Sequence, residues 1–164
     1  IQVSYTNQRI FEIQKANKTD FYGEAFVILH DSIYIFTKQW TTKKSSVYSL
    51  PKIPGTYIAQ LKKTLNVKGL ITGATLLPKS KGIVLCGYSK TLKPFVYLLY
   101  DYKNNDFSSG NKRKIKLKLR FHQIEGIATQ DGLLFYLTNE AFVRKPFINI
   151  PQQLHAIDLG PYLK

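Results

Sequence analysis

The 164-residue chain has no methionine, one cysteine, one tryptophan, and only 10 acidic side chains against 24 lysines and arginines. Each scarcity excludes something. With Cys86 alone, no disulfide can form within the chain, and its place in an apolar run marks it as a small core residue. No apolar run reaches the ~18 residues of a membrane-spanning helix, so no transmembrane segment is expected, and no secretory leader is recognisable. Paired cysteines, G-x-S-x-G, H-E-x-x-H and phosphate-loop patterns are lacking, which removes the commonest signatures of catalytic and nucleotide sites. Long helical periodicity is missing as well. The formal charge of +14 favours polyanions, anionic lipid headgroups or acidic glycans as neighbours, or serves solubility alone.

What is present is a repeat. His122 to Phe142 places Glu125-Gly126 before a short apolar strand, turns at Asp131-Gly132 and returns as Leu133 to Thr138. Asp-Gly between two apolar runs is a strong hairpin signal. The same order occurs upstream, where Glu24-Ala25 opens Phe26 to Leu29, His30-Asp31-Ser32 turns and Ile33 to Thr37 returns. In the middle copy, Thr72-Gly73-Ala74 opens Thr75 to Leu77, Pro78 to Gly82 turns and Ile83 to Gly87 returns. Third strands are expected at Val47 to Leu50, Phe95 to Tyr100 and Leu154 to Leu159, and fourth strands at Tyr57 to Leu61 and Lys114 to Phe121. Copies about 50 residues apart, each of four short antiparallel strands, describe an all-β, β-propeller-like fold of about three blades.

Residues 21–66, 68–121 and 122–164 are the expected blades, the last incomplete, and residues 1–13 the end of a preceding one. Propellers close with about four to eight blades, so three would be half of a six-bladed ring. The missing N-terminal half, or a second chain, is therefore expected as the partner that completes it. A chain that starts at Ile1 without methionine reads as a processed product, a domain or a piece of something longer.

The clearest local pattern is KRKIKLKLRF, Lys112 to Phe121, in which Lys114, Lys116, Lys118 and Arg120 alternate with Ile115, Leu117, Leu119 and Phe121. An outermost strand studded with lysine resists edge-to-edge aggregation, and this explains the run without a ligand. The interleaved aromatics of a nucleic-acid surface are missing, so no specific nucleic acid is expected. Replacing Lys114, Lys116 and Lys118 should accordingly leave the fold intact. The loop Asp101 to Asn111 is rich in oxygen donors but lacks EF-hand spacing and reads as a solvent loop.

Hairpin geometry puts the start of each first strand beside the end of the second, which gathers Glu24, Thr72 and Glu125 with Lys38, Tyr88, Asn139 and Glu140 on one face. Two readings follow. Lys38, Trp40, Tyr88 and Asn139 could contact a glycan or peptide on a binding or scaffold module. Glu24, Glu125, Asn139 and Glu140 could instead hold calcium for an esterase-, lactonase- or phosphatase-type hydrolase. Against the second stands a structural account, with Glu24 paired to Lys38 and the other glutamates taking backbone N–H groups. His30, His122 and His155 are not expected to converge.

The segments EAFVILHDSIYIFTKQW, SLPKIPGTY, LITGATLLPKSKGIVLCGYS, LLYDYKNNDFSSGNKRKI and FHQIEGIA with LTNEAF together resemble the C-terminal half of an uncharacterised propeller-like family. It occurs in secreted and cell-surface proteins of Bacteroidetes, many with a type IX secretion tail. The resemblance implies an extracytoplasmic location and an N-terminal half before Ile1. That half is not in this chain, and no secretion tail follows Lys164. More distantly, Glu-Gly-Ile-Ala is similar to the inner strands of six-bladed calcium-dependent hydrolases and phytase-like propellers.

Overall fold

The computed structural model describes residues 1–12, 15–78 and 81–163. The expected boundary at Ile13, together with Gln14, Lys79 and Ser80 of the second turn, and Lys164 lie outside the described residues. Regular structure among the described residues is all β apart from one 3-10 turn, Gly160–Tyr162. The chain divides into two compact units, Ile1–Ile71 and Thr72–Lys164.

In the first unit, β1 (Gln2–Tyr5) is followed by β2 (Tyr22–Leu29), β3 (Ser32–Lys38), β4 (Ser45–Pro51) and β5 (Thr56–Leu65). Strands β2 to β5 pair consecutively and antiparallel, forming the four-stranded meander that the repeat predicts. Leu29 pairs with Ser32, which leaves His30-Asp31 as a two-residue turn with His30 left-handed at φ 54°. The sequence reading assigns residues 1–13 to a preceding blade. Here β1 instead adds to the outer edge of β5, in parallel, with Gln2 opposite Thr56 and Tyr5 opposite Ala59. Aromatic packing explains the attachment: the Tyr5 ring lies 4.4 Å from that of Tyr48 and 5.8 Å from that of Phe21. Tyr48 Oη also donates to Asn7 Oδ1 at 2.6 Å. Tyr48, Leu50 and Ala59 form the buried cluster beneath them.

The second sheet runs β6 (Leu70–Leu76), β7 (Gly82–Tyr88), β8 (Pro94–Tyr100) and β9 (Asn111–Lys116) in that order, and the division between units falls inside β6. The third contains β10 (Gln123–Thr129), β11 (Leu134–Glu140) and β14 (Gln153–Asp158). Between β11 and β14 the chain makes a separate small hairpin, β12 (Phe142–Arg144) with β13 (Ile148–Ile150), which sequence reading missed. Val84, Cys86, Val96, Leu98 and Ile115 of the second sheet pack with Ile124, Phe135 and Leu137 of the third, and this cluster is the core of the unit.

Strand β9 ends at Lys116, five residues short of its expected end. Its partner β8 begins at Pro94, which has no N–H to donate, so the ladder runs out there. The chain nevertheless stays alongside: Leu117 N donates to Pro94 O at 3.0 Å and Phe121 N to Leu92 O at 2.9 Å. The alternation survives, since Ile115, Leu117 and Leu119 turn toward the core while Lys116, Lys118 and Arg120 are exposed.

The expectation that this basic run is dispensable needs one correction. Lys114 Nζ sits 3.6 Å from the centroid of the buried Phe95 ring. Lys114→Glu should therefore destabilise the protein by about 1–2 kcal/mol through the lost cation–π contact, whereas Lys118→Glu should stay within about 0.5 kcal/mol of the parent. Paired urea melts check this, and equal effects would remove the distinction.

Candidate functional site

Both glutamates that open the outer repeats occupy bulges. The β2–β3 register shifts between Gly23 and Ala25, and the β10–β11 register shifts between Ile124 and Gly126. The extra residue is Glu24 in one and Glu125 in the other. A bulge re-aims one side chain while the strand continues, so the repeat carries a matching local geometry as well as a matching sequence.

The surroundings differ. Glu24 Oε1 lies 3.8 Å from Lys38 Nζ, the pairing that the structural account predicts. Lys38 is buried, and its ammonium also stands 5.4 Å from the Trp40 ring centroid, with Lys43 Nζ at 5.9 Å. The half-buried Trp40 thus faces cations of its own chain. Beside it lies a polar network that sequence reading did not find. Gln39 Nε2 donates to Thr37 Oγ1 at 3.1 Å and to Ser46 Oγ at 2.8 Å, and Ser46 Oγ meets Thr64 Oγ1 at 2.9 Å. Gln39 and Thr37 are both buried, so this network fixes the loop that carries Trp40.

In the second unit, the residues placed on the rim divide between surface and interior. Tyr88 and Asn139 are buried, which takes them out of reach of a surface ligand. The Asn139 amide is fully engaged: Nδ2 donates to Glu140 O at 2.8 Å and Pro151 O at 2.9 Å, while Oδ1 lies 2.8 Å from His155 Nε2. Since Asn139 gives both its protons to carbonyls, its oxygen is the acceptor and His155 carries its proton on Nε2.

His122 and His155 do converge, contrary to expectation, with ring centroids 5.1 Å apart in an edge-to-face arrangement. His122 Nδ1 lies 2.6 Å from Arg120 O and must donate to it, since a carbonyl only accepts. Burial, and then repulsion from His122, hold the His155 imidazole below its usual 6.5.

Of the four positions read as calcium ligands, Asn139 and Glu140 do not share a face: they are adjacent on β11, one buried and one exposed. Among the described residues, no three His, Cys, Asp or Glu side chains gather as a metal site.

The opposite end of the second unit's strands holds a pocket of ≈ 680 Å³ that sequence reading did not anticipate. Tyr100, Leu77, Leu133 and Leu163 supply apolar wall, while Lys81, Asp101 and Asp131 bring charge. Two turns shape it. Asp101 is left-handed at φ 54° and its Oδ2 accepts from Asn111 Nδ2 at 3.1 Å. Asp131 Oδ1 accepts from Leu133 N at 2.8 Å and Leu134 N at 2.9 Å, and these hydrogen bonds hold its carboxyl below the usual carboxylate value. Gly132 supplies the left-handed backbone, φ 79°, that closes the turn. The Asp-Gly signal was visible in the sequence. Its meeting with Asp101, 30 residues away, was not.

Comparison with family models, with curated proteins and with solved structures found no match to the chain. Among the described residues no helix is long and apolar enough to cross a membrane.

Proposed function

We propose that this chain is part of an extracytoplasmic, β-propeller-like binding or scaffold module, and that its pocket at Tyr100, Asp101 and Asp131 receives a glycan or an extended peptide. The observation that carries the reading is the lining of that pocket, in which a tyrosine ring and leucines stand beside two carboxylates and a lysine. Sugars present C–H faces to aromatic rings and hydroxyls to carboxylates, and peptides combine apolar and charged groups in a similar way. The size falls within the range of small-ligand sites, about 300–1,000 Å³. Because Asp131 holds its turn through two backbone N–H groups, whereas Asp101 accepts from the exposed Asn111 side chain, an acceptor role that asparagine can keep, Asp101 is the residue to test. Asp101→Asn should weaken binding of a retained glycan or peptide about tenfold, the scale of one charged hydrogen bond, and leave the melting temperature unchanged. Calorimetric titration after screening an oligosaccharide and peptide array gives the answer. An array without hits, or a hit indifferent to Asp101→Asn and Tyr100→Ala, would sink the proposal.

Ring completion belongs to the same reading. Phe26 and Ile28 share one face of the first sheet, and Phe26 is 60% exposed. In the third sheet Tyr136 and Leu154 are both exposed, Leu154 at 67%. Sheets of a propeller stack face to face, so such apolar faces fit an additional N-terminal half, as in the resembling secreted family, or a second chain. Sedimentation of the purified chain should show association beyond 18.8 kDa. A monomer that binds no apolar dye would argue against it. The rival calcium-dependent hydrolase gains no support from the positions of Asn139 and Glu140.

A further inference from the structure

We infer that the end of the second unit opposite the pocket docks on an anionic lipid bilayer, with the β12–β13 hairpin entering the headgroup layer and a surrounding group of cations holding it there. Net charge is sorted along the strands of this unit: Lys81, Lys103, Lys112 and Arg113 lie toward the pocket end, but there they stand among aspartates. All four of its aspartates, Asp101, Asp106, Asp131 and Asp158, lie at the pocket end, in the β8–β9 loop, in the β10–β11 turn or at the close of β14. At the other end the exposed Lys90 and Lys93 of the β7–β8 loop stand beside the exposed Lys116, Lys118 and Arg120. Two segments are joined there by the Leu117–Pro94 and Phe121–Leu92 backbone hydrogen bonds, so the cations form one surface rather than a scatter. Glu125 and Glu140 are the acids at this end, and both lie in the third sheet.

The hairpin emerges from the same end. It leaves β11 after Glu140 and returns to β14 at Gln153, whose Oε1 lies 3.4 Å from His122 Nε2, immediately beyond the basic run. Its turn is Arg144-Lys145-Pro146-Phe147, closed by Phe147 N donating to Arg144 O at 3.2 Å. Phe147 is 91% exposed and Val143 57% exposed. A phenylalanine held almost wholly in water at a hairpin tip, flanked by Arg144 and Lys145, is what an interfacial anchor requires. The ring enters the acyl boundary and the cations remain among phosphates. A soluble polyanion would use the lysines but would gain nothing from the aliphatic Val143, which decides between the two.

The test is co-sedimentation of the full chain with vesicles of phosphatidylcholine alone or of equimolar phosphatidylcholine and phosphatidylglycerol, at low and high salt. Partitioning to the anionic vesicles should be strong at low salt and fall as salt rises. Lys118→Gln should weaken it about fivefold, the share of one cation near such a surface, and Phe147→Ser about tenfold or more. Both side chains are exposed, so the melting temperature should not move in either variant. Absence of binding to anionic vesicles at low salt would overturn the inference. So would vesicle binding that ignores Phe147→Ser, or retention on dextran sulfate with none on vesicles, since either outcome would make the surface a plain polyanion site. Asp101→Asn, which probes the pocket, should leave vesicle binding unchanged, so the two proposals fail separately.

Discussion

Replacing Gly73 by alanine is expected to cost about 1–3 kcal/mol, and replacing it by valine to cost more and to open the core around Cys86. A Cβ at Gly73 would lie 2.8 Å from Cys86 Sγ and 3.3 Å from both Glu125 O and Gly126 Cα. The first contact is with a buried side chain and the other two are with backbone, so there is little room to yield. Thr72, beside it, donates its hydroxyl to Ile124 O across the same seam between β6 and β10. Cys86 reports the damage. Burial pushes its thiol up to about 12, so in the parent it should resist alkylation near neutral pH and react only on unfolding. In Gly73→Val, labelling should be faster in native buffer. Cys86→Ala should restore part of the stability of Gly73→Ala by removing the nearest atom. If it restores none, the backbone contacts are the cause and the steric account of the thiol is wrong.

That seam shows what was legible in the sequence. The small residues Thr72-Gly73-Ala74 and Glu125-Gly126 were visible as a repeated signal, and they mark the place where β6 and β10 come close. Hairpins at His30-Asp31 and Asp131-Gly132 were equally readable, because turn chemistry is local. The alternating faces of Lys112 to Phe121 and its place at a sheet edge were legible, although the strand itself stops at Lys116. Other features depend on which distant segment supplies a partner. Nothing in QVSY indicates a parallel pairing with residues more than 50 positions away, and β12–β13 turns at Lys145-Pro146 without the Asn-Gly or Asp-Gly that marks a short hairpin.

The candidate site was less legible than the fold for the same reason. Sequence order placed Tyr88 and Asn139 at the rim, and both are at that end of their strands, but burial depends on what packs above them. The meeting of His122 with His155 was within reach. Ile124 pairs with Asn139, Asn139 with Gln153 and Leu137 with His155, so alternation alone puts His122, Asn139 and His155 on one face of the third sheet. Reading the histidines by sequence position, without carrying the register across three strands, hid that convergence. The pocket needed the ends of two sheets together, and no periodicity within either one announces it.

Removing the Asn139 amide should have the other large effect. In Asn139→Leu, the carbonyls of Glu140 and Pro151 and the Nε2 proton of His155 all lose their partner in a partly buried setting. At about 1–3 kcal/mol for a stranded polar group, a total near 3 kcal/mol or more is expected, or roughly a 10 °C fall in Tm for a chain of this size. Asn139→Asp distinguishes this network from simple packing. It keeps an oxygen for His155 but turns a carboxylate toward two carbonyl oxygens, so it should also be destabilised at neutral pH. The two proteins should then respond oppositely to acid. In the parent the His155 value lies below its unfolded 6.5, so its contribution is complete above that pH and is lost as pH falls through the folded value. In Asn139→Asp the new carboxylate raises the folded value, so stability is gained as His155 protonates and lost again as pH rises. Urea melts between about pH 5 and 8, the range in which histidine titrates, should slope in opposite directions for the two. Parallel slopes would show that Asn139 and His155 are not coupled, and that the hydrogen bond between them contributes nothing to the third sheet.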